Sequence, residues 1–140
     1  MIKNGFIYFV FLFLTQIGFA QNKMSWQGYF SYSNIRDLSQ SSTAIYAASE
    51  NALFSKNNST NQIKTTNTID GLSGQTITSL YYSPISNKTL VGYENGLMIV
   101  INEVDGSMLN IVDIINKQLP ANLKKINHFM EYQGIDYVSC

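Results

Sequence analysis

From position 34 onward apolar and polar residues alternate with a period of two in short runs parted by polar turns, which is the pattern of strands and not of helices. Ile35 and Leu38 head a first short strand, and residues 44–49, 52–56 and 63–68 form three more. The run Asn57-Asn58-Ser59-Thr60-Asn61 between the last two holds residue types that bond their own main chain or tolerate left-handed backbone, so it is a turn. The same succession returns as residues 77–83, 89–93, 97–101 and 108–112. Pro84 and Pro120 fall outside these ladders.

The recurrence is also literal. Glu50-Asn51-Ala52-Leu53-Phe54 returns as Glu94-Asn95-Gly96-Leu97-Met98, and Asn34-Ile35-Arg36-Asp37-Leu38 corresponds to Thr76-Ile77-Thr78-Ser79-Leu80. A third copy opens at Lys125-Ile126-Asn127-His128-Phe129 and continues through strands at 126–132 and 135–139, with Gly134 in the turn. Four strands per unit of roughly 40 to 50 residues is the arithmetic of a β-propeller blade. The expected fold is all-β: a partial propeller of four-stranded antiparallel blades, about two and a half of them over residues 34–140. A ring closes with about four to eight blades, so the sequence reads as the N-terminal piece of a longer protein, the alternative being a small protein that closes by self-association. Asn51 and Asn95 occupy the tight turn between second and third strands. Asn95-Gly96 predicts a two-residue type I′ turn, whereas Ala52 disfavours left-handed backbone and predicts a different register.

Ahead of the repeats, Lys3 precedes an apolar run from Phe6 to Leu14 that is shorter than the roughly 20 residues of a membrane span. Residues 1–20 therefore read as a helical secretory signal peptide, with small residues at Gly18 and Ala20 placing cleavage between Ala20 and Gln21. Over 21–33, Trp26, Gly28 and Phe30 alternate with Gln27, Tyr29 and Ser31, which predicts a strand able to close a ring by pairing with its last blade.

Nine basic residues balance nine acidic ones, and only 13% of the chain is charged. That excludes a nucleic-acid binder, which needs excess cations to displace counterions, and a charge-rich disordered tail. Cys140 is the single cysteine, so no intrachain disulfide holds this chain and packing must do so.

Candidate chemistry is sparse. His128 is the only histidine and takes the place of Asp37 and Ser79 in the repeat, with no carboxylate or cysteine at ligand spacing. Glu50 and Glu94 are equivalent by repetition and do not converge as a hydrolytic pair would. Gly71-Leu72-Ser73-Gly74 lacks the Lys-Ser/Thr ending of a phosphate loop and precedes a strand, which makes it a connection between blades. The sequence nominates no catalytic residue, cofactor or metal, and Asn57, Asn58 and Asn87 head Asn-x-Ser/Thr triplets that mark exposed turns.

Trp26 with its aromatic strand, Ile45-Tyr46-Ala47-Ala48, Asn67-Thr68-Ile69-Asp70-Gly71-Leu72-Ser73, Leu90-Val91-Gly92-Tyr93-Glu94-Asn95-Gly96-Leu97 and Lys125-Ile126-Asn127 together resemble the opening of the PorZ-like propeller proteins of the type IX secretion system. The resemblance implies a non-enzymatic component of the outer-membrane attachment complex, exported by the Sec route to the periplasm or cell surface. It implies protein partners including a sortase that removes C-terminal sorting signals, and contact with the anionic lipopolysaccharide joined to exported cargo. Relatives of this kind carry two propellers and a C-terminal β-sandwich. Glu94-Asn95-Gly96-Leu97 is also similar to the periplasmic sensor propellers of hybrid two-component regulators, although Thr89-Leu90-Val91-Gly92-Tyr93 stands where those show Trp-Ile-Gly-Thr. A sensor is thus the alternative function, and a propeller hydrolase with its active residues in other blades is a third.

Overall fold

The computed structural model describes residues 34–140. The signal peptide, its cleavage site at Ala20 and Gln21, and the strand expected over 21–33 lie outside the described residues.

Among the described residues ten strands follow in chain order: β1 (Asp37–Gln40), β2 (Ala44–Ala48), β3 (Leu53–Asn57), β4 (Ile63–Thr66), β5 (Ile77–Ser83), β6 (Lys88–Tyr93), β7 (Met98–Asn102), β8 (Met108–Ile111), β9 (His128–Tyr132) and β10 (Ile135–Ser139). They form two four-stranded antiparallel meanders, β1-β2-β3-β4 and β5-β6-β7-β8, and a β9–β10 pair. The first strand of each sheet adjoins the first strand of the next, β1 beside β5 and β5 beside β9, as strands around a shared axis do. The all-β partial propeller expected from the repeats is the fold observed.

Register explains the stacking. Asp37, Ala48, Leu53 and Thr66 are cross-strand partners in the first sheet, as are Ser79, Gly92, Met98 and Ile111 in the second. Because side chains alternate across a sheet, each set marks one face. Tyr46, Ala48 and Leu53 on the first sheet meet Ile77, Leu80, Val91, Tyr93, Ile99 and Ile101 on the second in a single buried cluster. A smaller cluster joins Leu90 to Ile126 and Phe129 of the third unit. Burying a side chain of this size contributes about 1.5–3 kcal/mol, so these two seams hold a chain without a disulfide.

Close approach at the seams demands small residues. A Cβ on Gly92 would lie 2.5 Å from Ile126 Cγ2 and 3.1 Å from Phe129 Cε2, and its counterpart Ala48 is fully buried. Main-chain bonds add stitches, Ile77 N–H to the Glu50 carbonyl at 2.8 Å and Ile126 N–H to that of Tyr93 at 3.2 Å.

Two local features differ from expectation. The hairpin at Asn95 is not a two-residue type I′ loop: among the non-glycine residues with positive φ Asn95 is absent, and only Gly96, at φ 87°, is left-handed there. Gly96 N–H bonds the Tyr93 carbonyl at 3.2 Å and Tyr93 N–H bonds the Leu97 carbonyl at 3.0 Å, a three-residue loop in which a turn is followed by a glycine bulge. The hairpin at Ala52 is one residue shorter, closing with Ser49 N–H on the Ala52 carbonyl at 2.8 Å, in the different register that its alanine predicts. Secondly, the strand expected over 108–112 stops at Ile111, and the crossing to β9 holds a short helix α1 (Asp113–Asn116) and a 3-10 turn (Ala121–Leu123). Across this crossing Ile115 packs on the first cluster and Ile114 on the second.

Candidate functional site

The residues singled out by the repeat sit at turns against the start of β5. Glu50 and Glu94 are exposed; the Glu50 carbonyl accepts Ile77 N–H and Glu94 N–H donates to the Thr76 carbonyl at 3.0 Å. Asn95 Oδ1 accepts Leu97 N–H at 3.0 Å, whereas Asn51 Oδ1 is buried without a hydrogen-bond partner. Gly96 is buried against Ile114 and Lys124. The fold therefore brings both turns against the start of β5. His128 is exposed opposite Ser139, Cys140 is an exposed free thiol, and no group of three or more potential metal ligands occurs among the described residues.

A concave site does form elsewhere. Between the outer halves of the first two sheets runs a groove whose wider chamber, about 690 Å³, is lined by Thr43, Ser55, Gln62, Lys64, Asn87 and Glu103 among others. A narrower arm of about 270 Å³ continues past Phe54 and Thr66 to Val104, Asp105 and Gly106 in the β7–β8 turn. Tyr46, Ser55, Lys64 and Glu103 line both.

Several lining groups are held in place by contacts between strands and turns. Tyr46 of β2 and Tyr82 of β5 stack across the seam, ring centres 5.6 Å apart and planes within 10°. Tyr82 hydroxyl donates to Asn87 Oδ1 at 2.8 Å. Glu103, just beyond β7, accepts the hydroxyl of buried Thr89 at 2.5 Å, and its main-chain N–H bonds the Asn87 carbonyl at 3.2 Å. Burial raises the Tyr46 phenol above its ordinary value, and the Glu103 carboxylate adds to the effect. At the open end Asp105 is held below the usual carboxylate range by hydrogen bonds from Ser107.

The sequence did not single out this groove, because Ser55 on β3 and Lys64 and Thr66 at alternate positions of β4 read as an ordinary solvent face. A signal was nevertheless present in the repeat. In the second sheet the places of Ser55, Lys64 and Thr66 are taken by Val100, Leu109 and Ile111. Those three instead line an apolar groove of about 260 Å³ against Phe129 and Val138 of the third unit.

Residues 45–140 match the family model described as the type IX secretion PorZ N-terminal β-propeller domain. The solved structure of PorZ, described as an essential bacterial surface component of the type IX secretion system of the human oral bacterium Porphyromonas gingivalis, superposes with a TM-score of 0.65 at 18% sequence identity. The alignment covers 75% of this chain and 14% of that one, so this chain spans a small part of that protein's length, and at this identity the likeness is one of fold. No curated protein matches.

Proposed function

Because this chain belongs to the family of PorZ N-terminal β-propeller domains, we propose that it serves type IX secretion as a non-enzymatic propeller module at the cell surface. The family match over residues 45–140 carries this reading.

In this reading the leader over 1–20 directs export through the Sec pathway, and cleavage between Ala20 and Gln21 frees a strand over 21–33 that completes the ring. Residues 34–140 supply the first blades. The module assists a sortase that removes sorting signals from cargo and contacts the anionic lipopolysaccharide to which cargo is joined.

Deletion of the gene tests the proposal. The expected result is type IX cargo retained in the periplasm with its C-terminal signal uncleaved, restored by the gene supplied in trans. Cargo processed and displayed normally in the deletion strain contradicts it.

A further inference from the structure

We propose that Phe30 seats on the face of the first sheet turned away from the second, packing on Leu38 and Ala47 as its repeat counterpart Leu72 packs in the seam between the two sheets. The inference rests on the repeat. It concerns where the downstream end of the segment over 21–33 lies and stands apart from the secretion reading, which the deletion strain tests.

The face is apolar. Leu38, Ala47 and Phe54 are cross-strand partners on it, and Ile45 and Ile63 share it through the alternation of side chains. Leu38 is 63% exposed, and Ile45 and Ile63 are exposed as well. In the second sheet Leu80, Val91 and Ile99 hold the places of Leu38, Ala47 and Phe54, and all three are buried, Leu80 at 4% exposure. Blade geometry therefore leaves this face to be covered by what precedes it.

Two elements cover it in the second sheet. One is the first sheet, and the other is Leu72 of the crossing between them, buried in the same cluster as Leu80, Val91 and Ile99. Main-chain bonds hold Leu72 in place: its N–H donates to the Asn67 carbonyl at 3.1 Å, and Ser73 N–H donates to the Tyr93 hydroxyl at 3.3 Å.

The occupant follows from the spacing. One offset relates Ile35 to Ile77 and Leu38 to Leu80, and the same offset relates Phe30-Ser31 to Leu72-Ser73. Phe30 thus stands as far ahead of Leu38 along the chain as Leu72 stands ahead of Leu80, and it is apolar, as that place requires. Ser49 takes the place of Tyr93, so the hydroxyl that accepts Ser73 N–H has no counterpart and Phe30 is held by apolar contact. A group tethered by so short a link acts at an effective concentration of about millimolar, which favours it over a second copy of the chain.

The test is nuclear Overhauser spectroscopy of the full chain with labelled methyls, repeated on a mixture of labelled and unlabelled protein. Cross-peaks from the Phe30 ring to the Leu38 and Ala47 methyls are expected within one molecule. Phe30→Ala should speed amide exchange in β1 and β2 by at least about tenfold, because it removes the cover of the face. Tyr29→Ala, on the other side of the alternating segment, should leave that exchange unchanged. Absence of the cross-peaks, or equal acceleration by Tyr29→Ala, overturns the proposal. Cross-peaks arising only between labelled and unlabelled molecules do so too, assigning the face to a second copy.

Discussion

Asp37 on β1 accepts the main-chain N–H of Leu80 on β5 at 2.7 Å, so a side chain of one blade satisfies the strand edge of the next. Ser79 hydroxyl approaches the same carboxylate oxygen at 3.4 Å, and two residues along, Ser39 Oγ accepts Tyr82 N–H at 2.8 Å. An inner strand has no ladder partner on the axis side, and these side chains supply acceptors that water would otherwise provide. Removing the Asp37 carboxylate should therefore cost about 1.5–3 kcal/mol in Asp37→Ala and Ser39→Ala about 1 kcal/mol, read by urea unfolding. Unchanged stability in Asp37→Ala would show that the bond contributes nothing net.

The second seam is handled differently, since Ser79 and Tyr81 stand where Asp37 and Ser39 do in the first. There the bulged Thr78 donates its hydroxyl to the Ile126 carbonyl at 2.6 Å, and Ser83 donates to Glu131 Oε2 at 2.5 Å. Thr78→Val keeps the shape and leaves that carbonyl with one bond fewer, with an expected loss of about 1 kcal/mol. Hydrogen exchange locates the effect: faster exchange should be confined to β9 and β10, whereas uniform acceleration through both sheets contradicts the assignment.

Gly92 is required by approach and not by backbone conformation, because its φ is not positive. Gly92→Ala places a methyl against Ile126 and Phe129, and overpacking of this kind typically costs 1–3 kcal/mol, here ~2 kcal/mol. Trimming Ile126 in the Gly92→Ala background should recover part of that loss, and a double-mutant cycle in urea measures the coupling.

Tyr93 is fully buried, and burial lifts its phenol to about 12 against a weaker opposing effect of the Ser73 N–H that it accepts at 3.3 Å. In the unfolded chain the phenol ionises near its ordinary value of about 10. Unfolded chains then bind fewer protons than folded ones between the two values, and stability falls as pH rises through that window. The stabilisation is fully present below about pH 10 and lost by about pH 12. Tyr93→Phe should flatten this part of the stability profile while costing about 1 kcal/mol at neutral pH for the lost acceptor. An identical slope between pH 10 and pH 12 in wild type and Tyr93→Phe would contradict it.

Much of the architecture was legible because it rests on local alternation: the strands among the described residues lie within a few residues of where apolar periodicity places them. The helix α1 was not, since Val112, Ile114 and Ile115 continue the apolar run of β8 and no capping side chain marks its start. Asn95-Gly96 has the composition of a tighter turn, and the bulge that forms instead depends on the seating of Gly96 beneath Lys124 and Ile114, residues distant in sequence. The groove escaped for a related reason. That exposed Lys64 stands at the mouth of a groove follows from the stacking of the two sheets, although the contrast with Leu109 at the equivalent place was present in the sequence.

Stacking of successive sheets about a common axis is the relation on which the seams, the groove and the proposed function all depend. Nuclear Overhauser effects in methyl-labelled protein measure it most directly. The account predicts strong cross-peaks from the Gly92 α-protons to the Ile126 γ2 methyl and from Leu80 methyls to protons of the first sheet. Cross-peaks from Gly92 only to its own sheet partners, Ser79 and Met98, would contradict it.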